Sequence, residues 1–171
     1  MKVGIIGSGG REHAICLALK NSNNISEIYC FPGNGGTNQI AKNIDLNVDD
    51  FENLKKFIFT QKIDFIIVGP EKPLVNGLVD FLHKNNIKVF GPNKIASQLE
   101  GSKIFTKKLC EKYNIPTANF GVFKDTKKAL DFLKNCNFPI VVKADGLAAG
   151  KGVYICENNN QANMAVEEIF K

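Results

Sequence analysis

Two stretches of this chain combine glycine with cationic side chains in patterns that could hold phosphate. The first is Gly7-Ser8-Gly9-Gly10-Arg11, directly after the apolar run Val3-Gly4-Ile5-Ile6. A glycine loop that opens a helix offers an anion free backbone N–H groups and the positive end of the helix dipole. Arg11 at that position disfavours the helix itself by roughly 0.3–1 kcal/mol, a cost that a phosphate beside it would reverse. It is also the single arginine among 22 basic residues. The plainer alternative is an ordinary solvent-facing arginine. The second stretch is Ala144-Asp145-Gly146-Leu147-Ala148-Ala149-Gly150-Lys151-Gly152, preceded by Lys143. It reads as a strand–loop–strand flap that folds over a triphosphate, with Lys143 and Lys151 as point charges and backbone N–H groups as donors. Its alternative is a solvated hairpin tip, which the apolar Leu147-Ala148-Ala149 argues against.

Neither loop fits the commoner nucleotide motifs. A dinucleotide fingerprint needs a third glycine where this chain has Glu12, and an acidic residue at the end of the second strand, which instead reads Phe31-Pro32. A Walker A loop has four residues between its first glycine and Gly-Lys, followed by Ser or Thr. Only three residues separate Gly146 from Gly150, and Gly152 follows Lys151. His13, in the first helical turn, is given no proton-transfer role, and His83 reads as solvated. The five cysteines are scattered and form no CxxC pair, which argues for reduced, buried thiols rather than a zinc site or disulfide framework.

The elements that would position these loops alternate. Strands are predicted at residues 2–6, 27–31, 64–68 and 88–90, with helices at 11–20, 49–61 and 74–85. Residues 14, 17 and 18 share a face of the first helix. Near-continuous apolar strands point to an open parallel sheet covered on both faces. Ligands of such sheets bind beyond the C-terminal strand ends. Those ends carry Gly7-Ser8-Gly9-Gly10, Pro32-Gly33-Asn34-Gly35-Gly36, Gly69-Pro70-Glu71 and Gly91-Pro92. Ser102 can cap a helix over residues 103–113 that Pro116 stops. Beyond it, a strand is predicted at 119–123, a helix at 127–135, strands at 139–143 and 153–156, and a helix from 160 onward with Ala162, Ala165, Val166 and Ile169 on its apolar face. The expected domains are 1–101, a linker helix 102–118, and a partial second domain 119–171.

Composition narrows the class. With 171 residues, 44% hydrophobic and 23% charged, the chain reads as an ordinary globular protein. No apolar run approaches the ~18 residues of a membrane span, and the N-terminal apolar stretch is too short for a signal peptide. A cytoplasmic protein is expected. The net charge of +5 is spread along the chain, without basic blocks or interleaved aromatics, which argues against nucleic acid as a partner. Small anionic substrates fit better.

The strings Gly-Arg-Glu-His-Ala at residues 10–14, Pro-Gly-Asn-Gly-Gly-Thr at 32–37, Gly-Pro-Glu-Lys-Pro-Leu at 69–74, Leu-Glu-Gly-Ser-Lys at 99–103 and Lys-Ala-Asp-Gly-Leu-Ala-Ala-Gly-Lys-Gly at 143–152 occur in one order. Together they resemble the phosphoribosylamine–glycine ligase family of the ATP-grasp superfamily, over the whole chain. The resemblance implies a Rossmann-like pre-ATP-grasp sheet followed by an incomplete α+β ATP-grasp lid. It places Gly9, Gly10, Arg11, Asn34, Gly35, Gly36 and Glu71 at a phosphoribosylamine site. Lys103, Lys143, Gly146, Gly150, Lys151 and Gly152 resemble the family's ATP-binding residues. It further implies glycine and ATP as co-substrates, with magnesium held by ligands beyond residue 171 and no metal ligand in this chain.

Family members are considerably longer, so the chain is expected to be a fragment that is inactive alone. Its half-built lid is expected to expose a strand edge and an apolar face, available to a C-terminal complementing chain or to a second copy. The rival readings are a non-catalytic phosphoribosyl-binding module, half of a split enzyme, and another ATP-grasp ligase such as a biotin carboxylase or a phosphoribosyl-aminoimidazole carboxylase subunit. The Gly-Arg-Glu-His-Ala string argues against the last.

Overall fold

Apolar strands buried on both faces build the first of two units, Met1–Gln98 and Leu99–Lys171, in the computed structural model, which describes residues 1–148 and 150–171. Ala149, part of the predicted flap, lies outside the described residues. The first unit holds β1 (Lys2–Gly7), β2 (Glu27–Pro32), β3 (Lys42–Asn43), β4 (Phe65–Val68) and β5 (Val89–Phe90), in spatial order β3-β2-β1-β4-β5 and all parallel. The order reverses between β1 and β4, so a crevice opens at their C-terminal ends.

One face of this sheet packs Ile6, Phe31, Ile66 and Val68 against Leu54 and Ile58 of α2 (Phe51–Gln61) and Leu78, Val79 and Leu82 of α4 (Leu78–Lys84). The other face packs Val3, Ile5, Ile28 and Cys30 against Cys16 of α1 (Gly10–Lys20). Burial on both faces explains why the strands read as continuous apolar runs rather than alternating ones.

Several expectations need correction. Ala14, Leu17 and Ala18 do share a face of α1, but it is the outward one. The inward stripe is Glu12 and Cys16, with Ile15 and Leu19 half-buried beside it. The predicted helix 74–85 is two helices, α3 (Glu71–Asn76) and α4, broken at Gly77, whose φ of +94° closes α3 with a left-handed residue. The short β3 was not predicted, since two polar residues carry no periodicity. A four-residue helix, α5 (Gln98–Gly101), was also unpredicted.

The second unit contains α6 (Lys103–Lys112), α7 (Thr126–Leu133), β6 (Ile140–Lys143), β7 (Val153–Cys156) and α8 (Asn159–Ile169). Residues 119–123 form no strand. A strand needs a ladder partner, and β6 and β7 pair only with each other. Short polar side chains start the helices: Ser102, Asp125 and Asn158 each accept an N–H from the first turn of α6, α7 and α8. Ala129, Leu133, Ala162, Ala165 and Val166 pack against Cys156, with Ile140, Val142 and Tyr154 partly buried beside them, so both helices lie on one face of the hairpin. The opposite face carries Val141, Val153 and Ile155, all exposed, Ile155 at 72%.

Leu54 is fully buried between α2 and the sheet. Leu54→Ala is expected to destabilise the protein by about 2–5 kcal/mol, read as a lowered urea midpoint with an unchanged slope.

Candidate functional site

The motif loops of the first unit meet at the crevice between β1 and β4. Glu12 is the pin. It sits in the first turn of α1, only 4% exposed, and accepts the N–H of Gly9 at 2.6 Å. Its carboxyl lies where side chains at residues 7 and 69 would be: a Cβ on Gly7 or on Gly69 would fall 2.7 Å from its Cδ. The residue that disqualifies the dinucleotide fingerprint therefore fills the space that a third glycine would leave open.

Arg11 leaves the same turn in the other direction and crosses the crevice. Its guanidinium donates to the carbonyl of Gly69 and, at 3.0 Å, to Glu71, while its side chain stays 58% exposed. Glu71 lies at the first position of α3, and its carboxyl is held below its ordinary value by its own backbone N–H and then by Arg11. An exposed pair of this kind contributes ~0–1 kcal/mol to stability. Its consequence is orientation: the one arginine is aimed at the switch point with part of its surface open to an anion. Gly9's N–H already belongs to Glu12, which leaves Gly10, Arg11 and the guanidinium as donors for a ligand.

Asn34 braces the neighbouring loop. Its Oδ1 accepts from the N–H groups of Gly36 and Thr37, and its Nδ2 donates to the carbonyls of Ser8 and Gly9 at 2.9 and 3.2 Å. Thr37 is fully buried and links Asn34 to Asn43 of β3. Gly36 lies under the ring of His13, where a Cβ would come within 2.8–3.1 Å of the imidazole. Gly35 is exposed, with open space around it. The structure thus brings together Gly9, Gly10, Arg11, Asn34, Gly36 and Glu71 of the predicted substrate residues, with Gly35 on the adjoining turn. Glu12, His13, Thr37 and Asn43 were not foreseen as parts of this arrangement. Glu12 and His13 lie inside the Gly-Arg-Glu-His-Ala string, but no periodicity identifies what they touch.

In the second unit, the hairpin β6–β7 is closed at its base by Ala144 N–H to the carbonyl of Gly152, 2.8 Å. Gly146, Gly150 and Gly152 all have positive φ, +89°, +80° and +79°. Lys143 is exposed at the end of β6, on the outer sheet face, and Lys151 is exposed in the loop. Lys103 is half-buried and its Nζ donates to the carbonyl of Gly146 at 2.9 Å. Asp145 was not singled out from the sequence. It accepts from the Ser102 hydroxyl at 3.0 and 3.1 Å and from the N–H of Ile104 at 3.1 Å. Partial burial pushes its carboxyl up. The N–H groups of Ile104, Gly146 and Lys103 and the Ser102 hydroxyl outweigh that and hold it below its ordinary value. Two surface concavities lie away from these loops. One of about 370 Å³ is at the opposite end of the sheet beside Ser26, Glu27 and Lys42, and one of about 520 Å³ runs between α7 and α8. Among the described residues no group of three His, Cys, Asp or Glu side chains is placed to hold a metal, and no helix is long and apolar enough to cross a membrane.

Comparison with known proteins decides the family. Residues 1–100 match the model of the phosphoribosylglycinamide synthetase N domain, and residues 101–171 match that of the phosphoribosylglycinamide synthetase ATP-grasp (A) domain. The chain belongs to the phosphoribosylglycinamide synthetase family. It is 46% identical to a phosphoribosylamine–glycine ligase of Clostridium acetobutylicum over 100% of this chain, but spans only 42% of that relative. The crystal structure of phosphoribosylamine–glycine ligase from Thermotoga maritima matches with a TM-score of 0.76 and 34% identity, over 96% of this chain and 38% of that one. The biotin carboxylase domain of Hydrogenobacter thermophilus 2-oxoglutarate carboxylase, crystallised with ADP and magnesium, matches with a TM-score of 0.76 over 98% of this chain and 40% of that one. At 21% identity it shows a shared fold and no more. The fold expected from the sequence, an open parallel sheet followed by an ATP-grasp element, is therefore that of this synthetase family.

Two outcomes follow from the crevice. Gly69→Ala must displace the Glu12 carboxyl and is expected to destabilise the protein by about 1–3 kcal/mol, seen in thermal unfolding. Glu71's folded-state value is depressed, so its contribution to stability is complete above the ordinary carboxylate range. That contribution is lost as pH falls through the depressed value. Arg11→Ala is expected to move the Glu71 midpoint upward in a carboxyl-detected NMR titration.

Proposed function

We propose that this chain supplies the substrate-binding sheet and the start of the ATP-grasp element of an ATP-dependent ligase that joins glycine to 5-phosphoribosylamine, a step of purine synthesis. One observation carries the reading: at the switch point of a parallel sheet, Arg11 is held by Gly69 and Glu71 beside the Gly9–Gly10 turn, with its guanidinium open to a phosphate. The membership of both halves of the chain in one synthetase family supports it.

In this reading Gly10 and Arg11 bind the 5-phosphate, and Gly35, Gly36 and Glu71 shape the sugar side, with Asn34 bracing the turn. Lys103, Lys143 and Lys151 face the triphosphate, and Gly146, Gly150 and Gly152 let the loop backbone approach it. The glycine carboxylate attacks the γ-phosphorus, releasing ADP and forming an acyl phosphate. The amine of phosphoribosylamine then displaces phosphate and forms the amide. Such chemistry rests on positioning and charge neutralisation. A magnesium ion accompanying the nucleotide would, in this reading, take its protein ligands from the portion of the relatives that the chain does not span. The five cysteines are free thiols, Cys16 and Cys30 included although their sulfurs lie 3.2 Å apart, which fits a cytoplasmic setting.

The exposed apolar outer face of the β6–β7 hairpin favours a second reading, in which the chain alone binds ligands without turnover. Val141, Val153 and Ile155 on the outer hairpin face would then meet a complementing C-terminal chain, or a second copy.

Calorimetry with ribose 5-phosphate and with ATP tests both readings. Arg11→Ala is expected to weaken ribose 5-phosphate about tenfold and leave ATP unchanged, whereas Lys143→Ala does the reverse. Glycinamide ribonucleotide should form only when the C-terminal portion of the Clostridium relative is added. Turnover by the chain alone would sink the claim that it is incomplete.

A further inference from the structure

The root of the β6–β7 loop is fastened to the start of α6 by a set of contacts that the assignment of binding residues does not use. Asp145 lies two residues beyond Lys143, which stands at the end of β6. Its carboxylate takes the Ser102 hydroxyl and the Ile104 N–H. Ser102 in turn accepts the N–H of Phe105 and so caps the helix. One residue on, Gly146 turns its carbonyl onto the ammonium of Lys103. A negative side chain at a helix N-terminus is favoured by the exposed N–H groups there and by the dipole. Here the carboxylate comes from a residue 41 positions away from Ile104 in sequence, so together with the Lys103–Gly146 contact it joins two elements distant in the chain.

We infer that Asp145 is a positioning residue: by latching the loop root to the first turn of α6 it holds Lys103 against Gly146 and fixes the spacing between Lys103 and Lys143. The inference deepens the proposed function and rests on it for the meaning of that spacing, since Lys103 and Lys143 are the cations assigned to the triphosphate. Lys103 is flexible over four methylenes, and an ammonium is a point charge without directional preference of its own. Without the latch it would sample many positions, and binding nucleotide would have to order it.

The test uses the whole chain and compares Asp145→Ala with the conservative Asp145→Asn. The first readout needs no nucleotide. The amine reactivity of Lys103 relative to Lys143 is measured by limited acylation and mass spectrometry. The latch predicts that Asp145→Ala raises Lys103 labelling several-fold toward that of Lys143, and that Asp145→Asn, which can still accept the Ile104 N–H, restores most of the protection. The thermal midpoint is followed in parallel, and a general loss of structure is excluded if other half-buried lysines keep their labelling rates. The second readout is the affinity for ATP, expected to fall about tenfold in Asp145→Ala and less in Asp145→Asn. Unchanged Lys103 labelling in Asp145→Ala overturns the latch. Faster labelling with unchanged ATP affinity overturns its positioning role. If the wild-type chain binds no ATP, the nucleotide reading fails, while the labelling ratio still decides whether Asp145 holds Lys103.

Discussion

A carboxylate buried in the first turn of α1 organises the candidate site. Removing a polar group from water is costly unless it is hydrogen-bonded. Glu12 meets that condition through the N–H of Gly9 and its place at the positive end of a helix. Space for it exists because residues 7 and 69 have no side chains. The loops after β1 and β4, separated by more than fifty residues of sequence, are thereby set around one group. With Glu12 turned inward, its neighbour Arg11 must point outward across the crevice, where Gly69 and Glu71 receive it. Loop geometry, helix start and the direction of the single arginine are consequences of one packing decision.

The next loop is tied to this arrangement by polar side chains rather than by apolar packing. Asn34 closes its own turn with one end of its amide and reaches the carbonyls of Ser8 and Gly9 with the other. The ring of His13 lies over Gly36. Both contacts run between strings that the sequence separates by some twenty residues. They explain why glycine and asparagine stand there without invoking contact with a ligand. They also leave, among the groups open to a ligand, the N–H groups of Gly10 and Arg11, the guanidinium, the Glu71 carboxyl and the exposed Gly35 turn.

The parallel sheet was legible because strands buried on both faces leave unbroken apolar runs, and the helices α2, α7 and α8 because their apolar spacing is clean. The failures have physical causes. The buried stripe of α1 was not legible because it is led by a glutamate, Glu12, beside Cys16. The break at Gly77 was missed because leucine and valine continue on both sides of it at helical spacing. Residues 119–123 have strand composition, but a strand is a pairing and composition does not supply the partner. In the site, the loop glycines, Arg11, Lys143 and Lys151 could be named from type and spacing, whereas Lys103, Asn34 and Glu71 came only from the resemblance. Glu12, Thr37 and Asp145 could not be named, because their roles lie in contacts with residues distant in sequence.

Glycine serves opposite purposes in the two units, and this bears on how each could act. In the first unit, Gly7, Gly36 and Gly69 are packed so closely that any Cβ would fall within 3.0 Å of Glu12 or His13. Their loops are held in place before any ligand arrives, which lowers the ordering cost of binding. In the second unit, a Cβ at Gly146 or Gly150 would meet nothing within 4 Å, although both have φ values that other residues rarely adopt. The loop is fixed at the base of the hairpin by Ala144 and Gly152, and at the start of α6 by the Gly146 carbonyl on Lys103 and the Asp145 carboxylate on Ser102 and Ile104. The first unit thus fixes its glycine loops by close packing, whereas the second fixes its loop by backbone conformation and by polar contacts with the start of α6.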